Sequence, residues 1–273
     1  MDTDQLNSVT IVGLGEIGRP VATHLLDGGY DVTVFDVDPA SLDPFEDTEI
    51  SVTESLSGAA AETDLSLVCV GTYEQVESVL FDDGILSGAD PGHIVGVIST
   101  ISPGQSIDLA SIAAERGVDL IDIPVCRGKV AAKEGNLLVL GGGDEAVFER
   151  ARPALEQFAD SEDVVYLGDV GSGQVGKAAN NMLLWATLVA DYEVLTLSKA
   201  WGLDLEVLRE ALVRSSGDNW ALREWEWQYV TWAHKDMDIV LEMAAQKEEP
   251  LPLAGLLSQL IREIDEDTLD EVR

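Results

Sequence analysis

Lysine is scarce in this chain. Six occur among 273 residues, and the 16 basic residues face 51 acidic ones for a formal charge of −35. A surface this acidic repels phosphate backbones, which excludes nucleic acid as a partner. Cysteine is rarer still: Cys69 and Cys126 cannot build a disulfide framework in a chain of this length, so reduced thiols in a cytoplasm are expected. The three histidines, His24, His93 and His234, are scattered without ligand spacing, and no metal site is expected. No apolar run reaches membrane-spanning length and no basic-apolar leader opens the chain, so no membrane partner is expected either. Repeats and low-complexity linkers are missing too.

What remains is a globular composition, 46% hydrophobic, long enough for one large or two ordinary domains. The acidic residues are spread along the whole chain instead of forming a tail. A dispersed acidic surface with few lysines suits concentrated salt, where screening suppresses self-repulsion, so a halophilic cytoplasm is the expected setting.

Near the start, Val9–Val12 reads as a buried strand, followed by Gly13-Leu14-Gly15-Glu16-Ile17-Gly18 and then by Ile17, Val21 and Leu25 at helical spacing. A GxGxxG between strand and helix is the context of a dinucleotide site. Gly13 permits a tight turn, Gly15 lets backbone approach a pyrophosphate, and Gly18 lets the helix pack on the strand. The helix N-terminus offers N–H groups to the phosphates. A second strand, Asp31–Asp36, ends on an acidic residue eighteen positions beyond Gly18, where a carboxylate can accept the adenine-ribose hydroxyls. It would repel a 2′-phosphate, and the next residue, Val37, cannot attract one. NAD is therefore the preferred cofactor and NADP the alternative. The plainer reading of Asp36 is the start of a turn with Asp38 and Pro39.

Further apolar runs, Leu65–Val70, His93–Thr100, Asp119–Val125, Asn136–Leu140 and Val164–Leu167, alternate with helical patterns, one opening at Ser102-Pro103 and one over Asp144–Phe158. Alternation of this kind predicts an α/β fold with a doubly wound, largely parallel sheet over residues 1–168. From 169 to 273 only helices are predicted: about Gln174–Trp201, Leu205–Arg214, Asn219–Gln246 and Pro252–Ile264, with the acidic end Asp265–Arg273 expected to fray. The first of these is nearly apolar over Met182–Val189 and is expected to be buried, partly against a second subunit, as in a homodimer or higher homo-oligomer. Trp225, Tyr229 and Trp232 read as one helical stripe, a packing seam.

Lys177 lies in Gly171-Ser-Gly-Gln-Val-Gly-Lys-Ala-Ala-Asn-Asn181, the opening of that long helix. Residues four apart share a helix face, so Lys177 and Asn181 project together. A lysine can move a proton at a carbonyl or alkoxide oxygen, and an amide one turn on can hold that oxygen. Read alone, a lysine at a helix start is usually a solvated charge.

Five spaced blocks now stand in order: Gly13–Gly18, Ser99–Pro103, Asp122–Gly128, Gly171–Asn181 and Lys235–Asp238. Together they resemble the β-hydroxyacid dehydrogenases over nearly the whole chain. The resemblance implies an N-terminal Rossmann domain, an all-helical C-terminal domain for substrate and dimerisation, and an active site in the cleft between them. By position, Lys177 would be the catalytic lysine and Asn181 its substrate-orienting partner. Thr100 would lie near the nicotinamide ribose, and Lys235 would reach toward cofactor and substrate. The plain reading of Lys235 is an exposed lysine beside neighbouring acids, worth under about 1 kcal/mol.

One block departs from the family. Where members usually carry Ser-Gly-Gly to hold the substrate carboxylate, this chain has Cys126-Arg127-Gly128. A thiol donates more weakly than a hydroxyl, while Arg127 adds a planar charged fork suited to an acid group. The expectation is a small anionic substrate gripped by Arg127, which leaves room for sulfolactaldehyde-type acids. The chain's end at Arg273, short of a Gly-rich acidic stretch common in members, is expected to alter the dimer or the cleft lid. Three other readings stay open. Imine reductases share the fold, but they usually replace the lysine. Decarboxylating 6-phosphogluconate dehydrogenases normally carry a histidine before the asparagine. A non-catalytic dinucleotide-binding protein is supported only by the altered loop.

Overall fold

The computed structural model describes residues 6–45 and 47–273. Strand β1 (Ser8–Val12) runs into the glycine-rich turn and helix α1 (Gly18–Asp27) leaves it. There follow β2 (Asp31–Phe35), β3 (Ser51–Val52), α2 (Leu56–Glu62), β4 (Leu65–Val68), α3 (Tyr73–Leu80), α4 (Ile85–Gly88) and β5 (Ile94–Val97). Next come α5 (Pro103–Ala114), β6 (Asp119–Asp122), β7 (Val125–Cys126), α6 (Gly128–Glu134), β8 (Leu138–Gly142), α7 (Glu145–Leu155) and β9 (Val164–Gly168). The sheet order is β3-β2-β1-β4-β5-β6-β8-β7, with β9 on the other edge of β8. From β3 to β6 every pairing is parallel, whereas β8 runs antiparallel to β6 and β7.

This is the expected doubly wound sheet. β1 lies between β2 and β4, so the strand order reverses there, and ligands of such sheets bind beyond the strand ends at that point. β4 and β5 are buried at every position, as strands covered on both faces must be. Side chains alternate across the sheet. Val9, Ile11, Leu65 and Leu67 enter one core, and Val12, Val68, Val95 and Val97 enter the other. Each such burial contributes about 1.5–3 kcal/mol. Helix α5 starts as its sequence requires: Ser102 caps it, Gln105 returns the bond to the Ser102 N–H, and Pro103 takes the first position. The run expected as one strand over Asp119–Val125 is split at Ile123-Pro124. Proline has no N–H for a central ladder, and beyond it β7 pairs with β8 instead.

The remaining residues are helical: α8 (Ser172–Ala200), α9 (Leu205–Leu212), α10 (Trp220–Arg223), α11 (Ala233–Gln246), α12 (Pro252–Leu260) and α13 (Glu266–Asp270). By internal contacts the chain divides into two compact units, the second being Ala178–Arg273, so the division falls inside α8. The second unit has its own core around Trp185, Leu188, Trp225, Met237 and Leu257.

Two expectations change in this unit. The helix expected over Asn219–Gln246 breaks between Arg223 and Ala233, so Trp225, Tyr229 and Trp232 do not form a helical stripe. Trp225 is buried while Trp232 is exposed. Aromatic residues crowded together lose side-chain freedom in a helix, and the backbone finds other partners: Val230 N–H donates to Glu266, and Arg273 donates to the Gln228 carbonyl. The acidic end therefore does not fray. Asp265 caps α13, Val272 is buried, and its carbonyl accepts the Trp225 indole N–H. In the single chain one face of α8 is open, with Leu183 69% exposed, which leaves that face for the second subunit the sequence anticipates.

Candidate active site

The glycine turn is closed at two positions and open at one. Gly13 has φ +93°, and a Cβ there would meet the Cys69 carbonyl oxygen at 2.3 Å. A Cβ on Gly18 would lie 1.9 Å from the Gly13 carbonyl oxygen. At Gly15 a Cβ would meet nothing within 4 Å. No side chain caps α1 at Ile17; the Arg19 N–H donates to the Gly15 carbonyl at 3.2 Å and the Val21 N–H to the Ile17 carbonyl at 3.2 Å. Leu14 is buried beneath the turn, and Ile17 packs against the core. Glu16 is exposed and pairs with Lys129 at 3.2 Å, joining the turn to the start of α6.

Asp36 stands just past the end of β2. One of its carboxylate oxygens accepts the Leu14 N–H at 2.6 Å and the other the Asp38 N–H at 2.9 Å. The plain reading of a turn is thus present, since Asp38 caps the short helical turn Pro39–Ser41. A carboxylate has about four acceptor sites, so two N–H bonds leave capacity for ribose hydroxyls. Cys69 lies behind the turn, where burial pushes its thiol up to about 12 and keeps it un-ionised.

Thr100 follows β5 in the stretch Ser99–Ile101, which is held from both sides. The Ser99 hydroxyl accepts the Val70 N–H at 2.8 Å. Gln174, wholly buried in the first turn of α8, donates to the Ser99 carbonyl at 2.9 Å and accepts the Ile101 N–H at 3.2 Å. Asp122, the buried last residue of β6, accepts the N–H groups of Gly171 at 2.6 Å and Gln174 at 2.8 Å. Burial pushes the Asp122 carboxyl above its ordinary value, and these backbone donors oppose that shift.

Lys177 is one turn further along α8 and half-buried, and Asn181 a turn beyond that is buried. Asn181 Oδ1 accepts from Asn180 Nδ2 at 3.1 Å. Among the described residues, no hydrogen bond or ion pair engages the Lys177 ammonium.

The loop Cys126-Arg127-Gly128 differs from its expected form. Arg127 has φ +79°, and its fork is turned onto Asp163 in a two-bond pair at 2.6 and 2.8 Å, with a third bond to Asn136 Oδ1 at 2.9 Å. The guanidinium expected to stand open for a substrate acid is occupied by a carboxylate of the chain itself. Cys126 is buried, and neither cysteine forms a disulfide. In the second unit, Lys235 occupies the first turn of α11 with its ammonium 5.6 Å from the centre of the Trp232 ring.

The family model described as the NAD binding domain of 6-phosphogluconate dehydrogenase matches residues 8–168. The one described as NAD-binding of NADP-dependent 3-hydroxyisobutyrate dehydrogenase matches 171–271. An NAD-dependent L-serine dehydrogenase of Pseudomonas aeruginosa is 36% identical over 218 residues, 80% of this chain and 72% of that one. The chain belongs to the β-hydroxyacid dehydrogenase family. A 2-(hydroxymethyl)glutarate dehydrogenase of Eubacterium barkeri is 30% identical over 264 residues, covering 92% and 87%. The crystal structure of a 3-hydroxyisobutyrate dehydrogenase from Salmonella typhimurium superposes with a TM-score of 0.85 at 25% identity, covering 97% of this chain and 99% of that one.

As a β-hydroxyacid dehydrogenase family member the chain carries a nicotinamide-cofactor domain, and its residues fit the group. The open position at Gly15 and the spare acceptor capacity of Asp36 suit a pyrophosphate and a ribose. Sequence reasoning passed over Asp122 and Gln174. An acid ending a strand and a glutamine opening a helix look like ordinary surface residues. The usable signal was their place inside the family-like blocks Asp122–Gly128 and Gly171–Asn181.

Proposed function

We propose that this protein transfers hydride between a small anionic hydroxy acid, or its aldehyde or keto form, and NAD, with Lys177 as the acid/base group. The observation that carries this reading is Lys177 itself: a half-buried lysine whose ammonium has no ion pair among the described residues, in a chain with 51 acidic residues, one turn from a buried asparagine. A bound nicotinamide supplies the hydride acceptor or donor. The chain supplies the rest. Lys177 holds and moves the proton at the substrate oxygen, and its charge stabilises a developing alkoxide. Asn181 orients that oxygen. Gly13–Gly18 receives the pyrophosphate, Asp36 the adenine ribose, and Thr100 the nicotinamide-side ribose, with Lys235 a further contact to cofactor and substrate. The Asp36 carboxylate favours NAD over NADP by repelling a 2′-phosphate. Cys126, Arg127 and Gly128 shape the pocket for the acid group, with Arg127 braced by Asp163.

The working form is a homodimer in concentrated salt. Leu183, Thr187, Ala190, Val194 and Leu197 of α8 and Trp201 just past its end follow one another at alternating steps of four and three, and Leu197 and Trp201 are 60% and 79% exposed. That stripe carries no charge in a chain of net charge −35, and a second copy of so acidic a protein needs an uncharged seam to approach.

The test is absorbance of reduced nicotinamide in concentrated potassium chloride. NAD⁺ or NADP⁺ is supplied with a panel of hydroxy acids, sulfonated ones included, to wild type and Lys177→Ala. Turnover that disappears in the variant supports the reading and names substrate and cofactor together. A folded, NAD-binding wild type that turns over no acid overturns it in favour of a binding protein.

A further inference from the structure

The geometry points to Gln174 as a positioning residue: its buried amide fixes the Thr100 segment to the first turn of α8, one turn before Lys177. The inference rests on the catalytic reading of Lys177 given above. Both ends of the amide are used on one short stretch of backbone, the nitrogen on the Ser99 carbonyl and the oxygen on the Ile101 N–H, so that Thr100 is bracketed. The Gln174 backbone N–H is itself tied to Asp122 at the end of β6. Ser99, through its hydroxyl, is tied to Val70 just past β4. The first turn of α8 is therefore bolted to the ends of three neighbouring strands, β4, β5 and β6, and Lys177 follows three residues later on the same rigid rod.

A helix cap needs only an acceptor for free N–H groups, and Asp122 already provides it. Gln174 does something a cap does not, because it holds a second segment whose central residue faces neither bond. A reacting group displaced by about 1 Å can cost a hundredfold in rate, so a small slip of this turn would act on turnover before it acted on folding.

Two variants test the inference, each with thermal melting as a check on folding. Gln174→Met keeps the volume and removes both hydrogen bonds. Its kcat is expected to fall about tenfold or more while KM for the acid changes little, the pattern of a lost transition-state alignment. Its affinity for NAD is expected to weaken while its affinity for ADP-ribose, which lacks the nicotinamide, stays as in wild type. Gln174→Glu adds a pH signature. Protonated, the carboxyl can donate to Ser99 and accept from Ile101; ionised, it cannot donate. Activity relative to wild type should therefore rise as pH falls. A Gln174→Met protein with a lower melting temperature but unchanged kcat and an unchanged NAD to ADP-ribose affinity ratio would show a merely structural residue. Should Gln174→Met fail to fold, a Gln174→Glu protein with no new pH limb overturns the inference. If wild type turns over none of the acids, the functional reading fails, and the NAD to ADP-ribose comparison still decides the role of Gln174.

Discussion

The Leu14 N–H donates to a carboxylate oxygen of Asp36 at 2.6 Å, so the acid we propose for the ribose also braces the glycine turn. Replacing it acts on both. Asp36→Ala is expected to raise KM for NAD about tenfold or more and to narrow the preference for NAD over NADP, since the acceptor and the repelling charge go together. Asp36→Asn keeps an acceptor oxygen and removes the charge, so it should narrow the preference with a smaller rise in KM. Initial rates with both cofactors check this; an Asp36→Ala enzyme with wild-type constants for both would refute it.

Arg127 and Asp163 act as one unit. If the pair braces the Cys126–Gly128 loop, Arg127→Ala and Asp163→Ala each raise KM for the acid by similar factors, and the double variant adds nothing further. The pair is partly exposed, so each single change should cost only about 1 kcal/mol of stability. If the fork instead grips the substrate directly, Asp163→Ala frees it and lowers KM. A double-mutant cycle in KM separates the two outcomes.

Asp191 on α8 makes stability depend on pH. Burial pushes its carboxyl up from 3.8 to about 6, opposed by the hydrogen bond from Asn219, and its second oxygen is buried with no donor. The folded state thus binds this proton more tightly than the unfolded chain does. Stability is therefore lost as the pH rises from about 4 to about 6, the full cost is present above that, and lowering the pH from 7 toward 4 recovers it. At this half-buried position the cost is about 1 kcal/mol once solvent screening is allowed for. Asp191→Asn should melt higher than wild type at pH 7, and the advantage should vanish near pH 4. Parallel melting curves at the two pH values check the sign.

The uncharged stripe of α8 predicts its own disruption. Leu197→Glu puts a charge on each copy of a seam that faces itself in a two-fold dimer, so sedimentation should show a monomer in salt where wild type is a dimer. A wild type that sediments as a monomer at all concentrations removes the seam.

Where side-chain periodicity carries the information, the sequence can be read directly. Val9–Val12, Leu65–Val68 and Ile94–Val97 are apolar runs that only a sheet covered on both faces can use, and the structure uses them so. The glycine turn was legible for a similar reason, because three glycines at fixed spacing meet three steric demands. Long-range pairing was not legible. Nothing near Arg127 in sequence shows that Asp163 will take its fork, and nothing between Trp220 and Trp232 shows that the chain's last residues will supply the backbone partners that open the helix there. The candidate lysine stood out, but the glutamine that holds the start of its helix did not. A buried amide is recognised by what it touches, and Ser99 and Ile101 lie some seventy positions away.

The three glycines of the turn are under different kinds of constraint. Side chains at 13 and 18 collide with backbone of the protein itself, so a survey of substitutions scored only for folding would already forbid them. A Cβ at 15 meets nothing within 4 Å among the described residues. Position 15 should therefore accept alanine in any screen for solubility or thermal resistance and reject it in a screen for cofactor retention. The difference between those two screens at that one residue measures how strongly the protein is held to its ligand instead of to its shape.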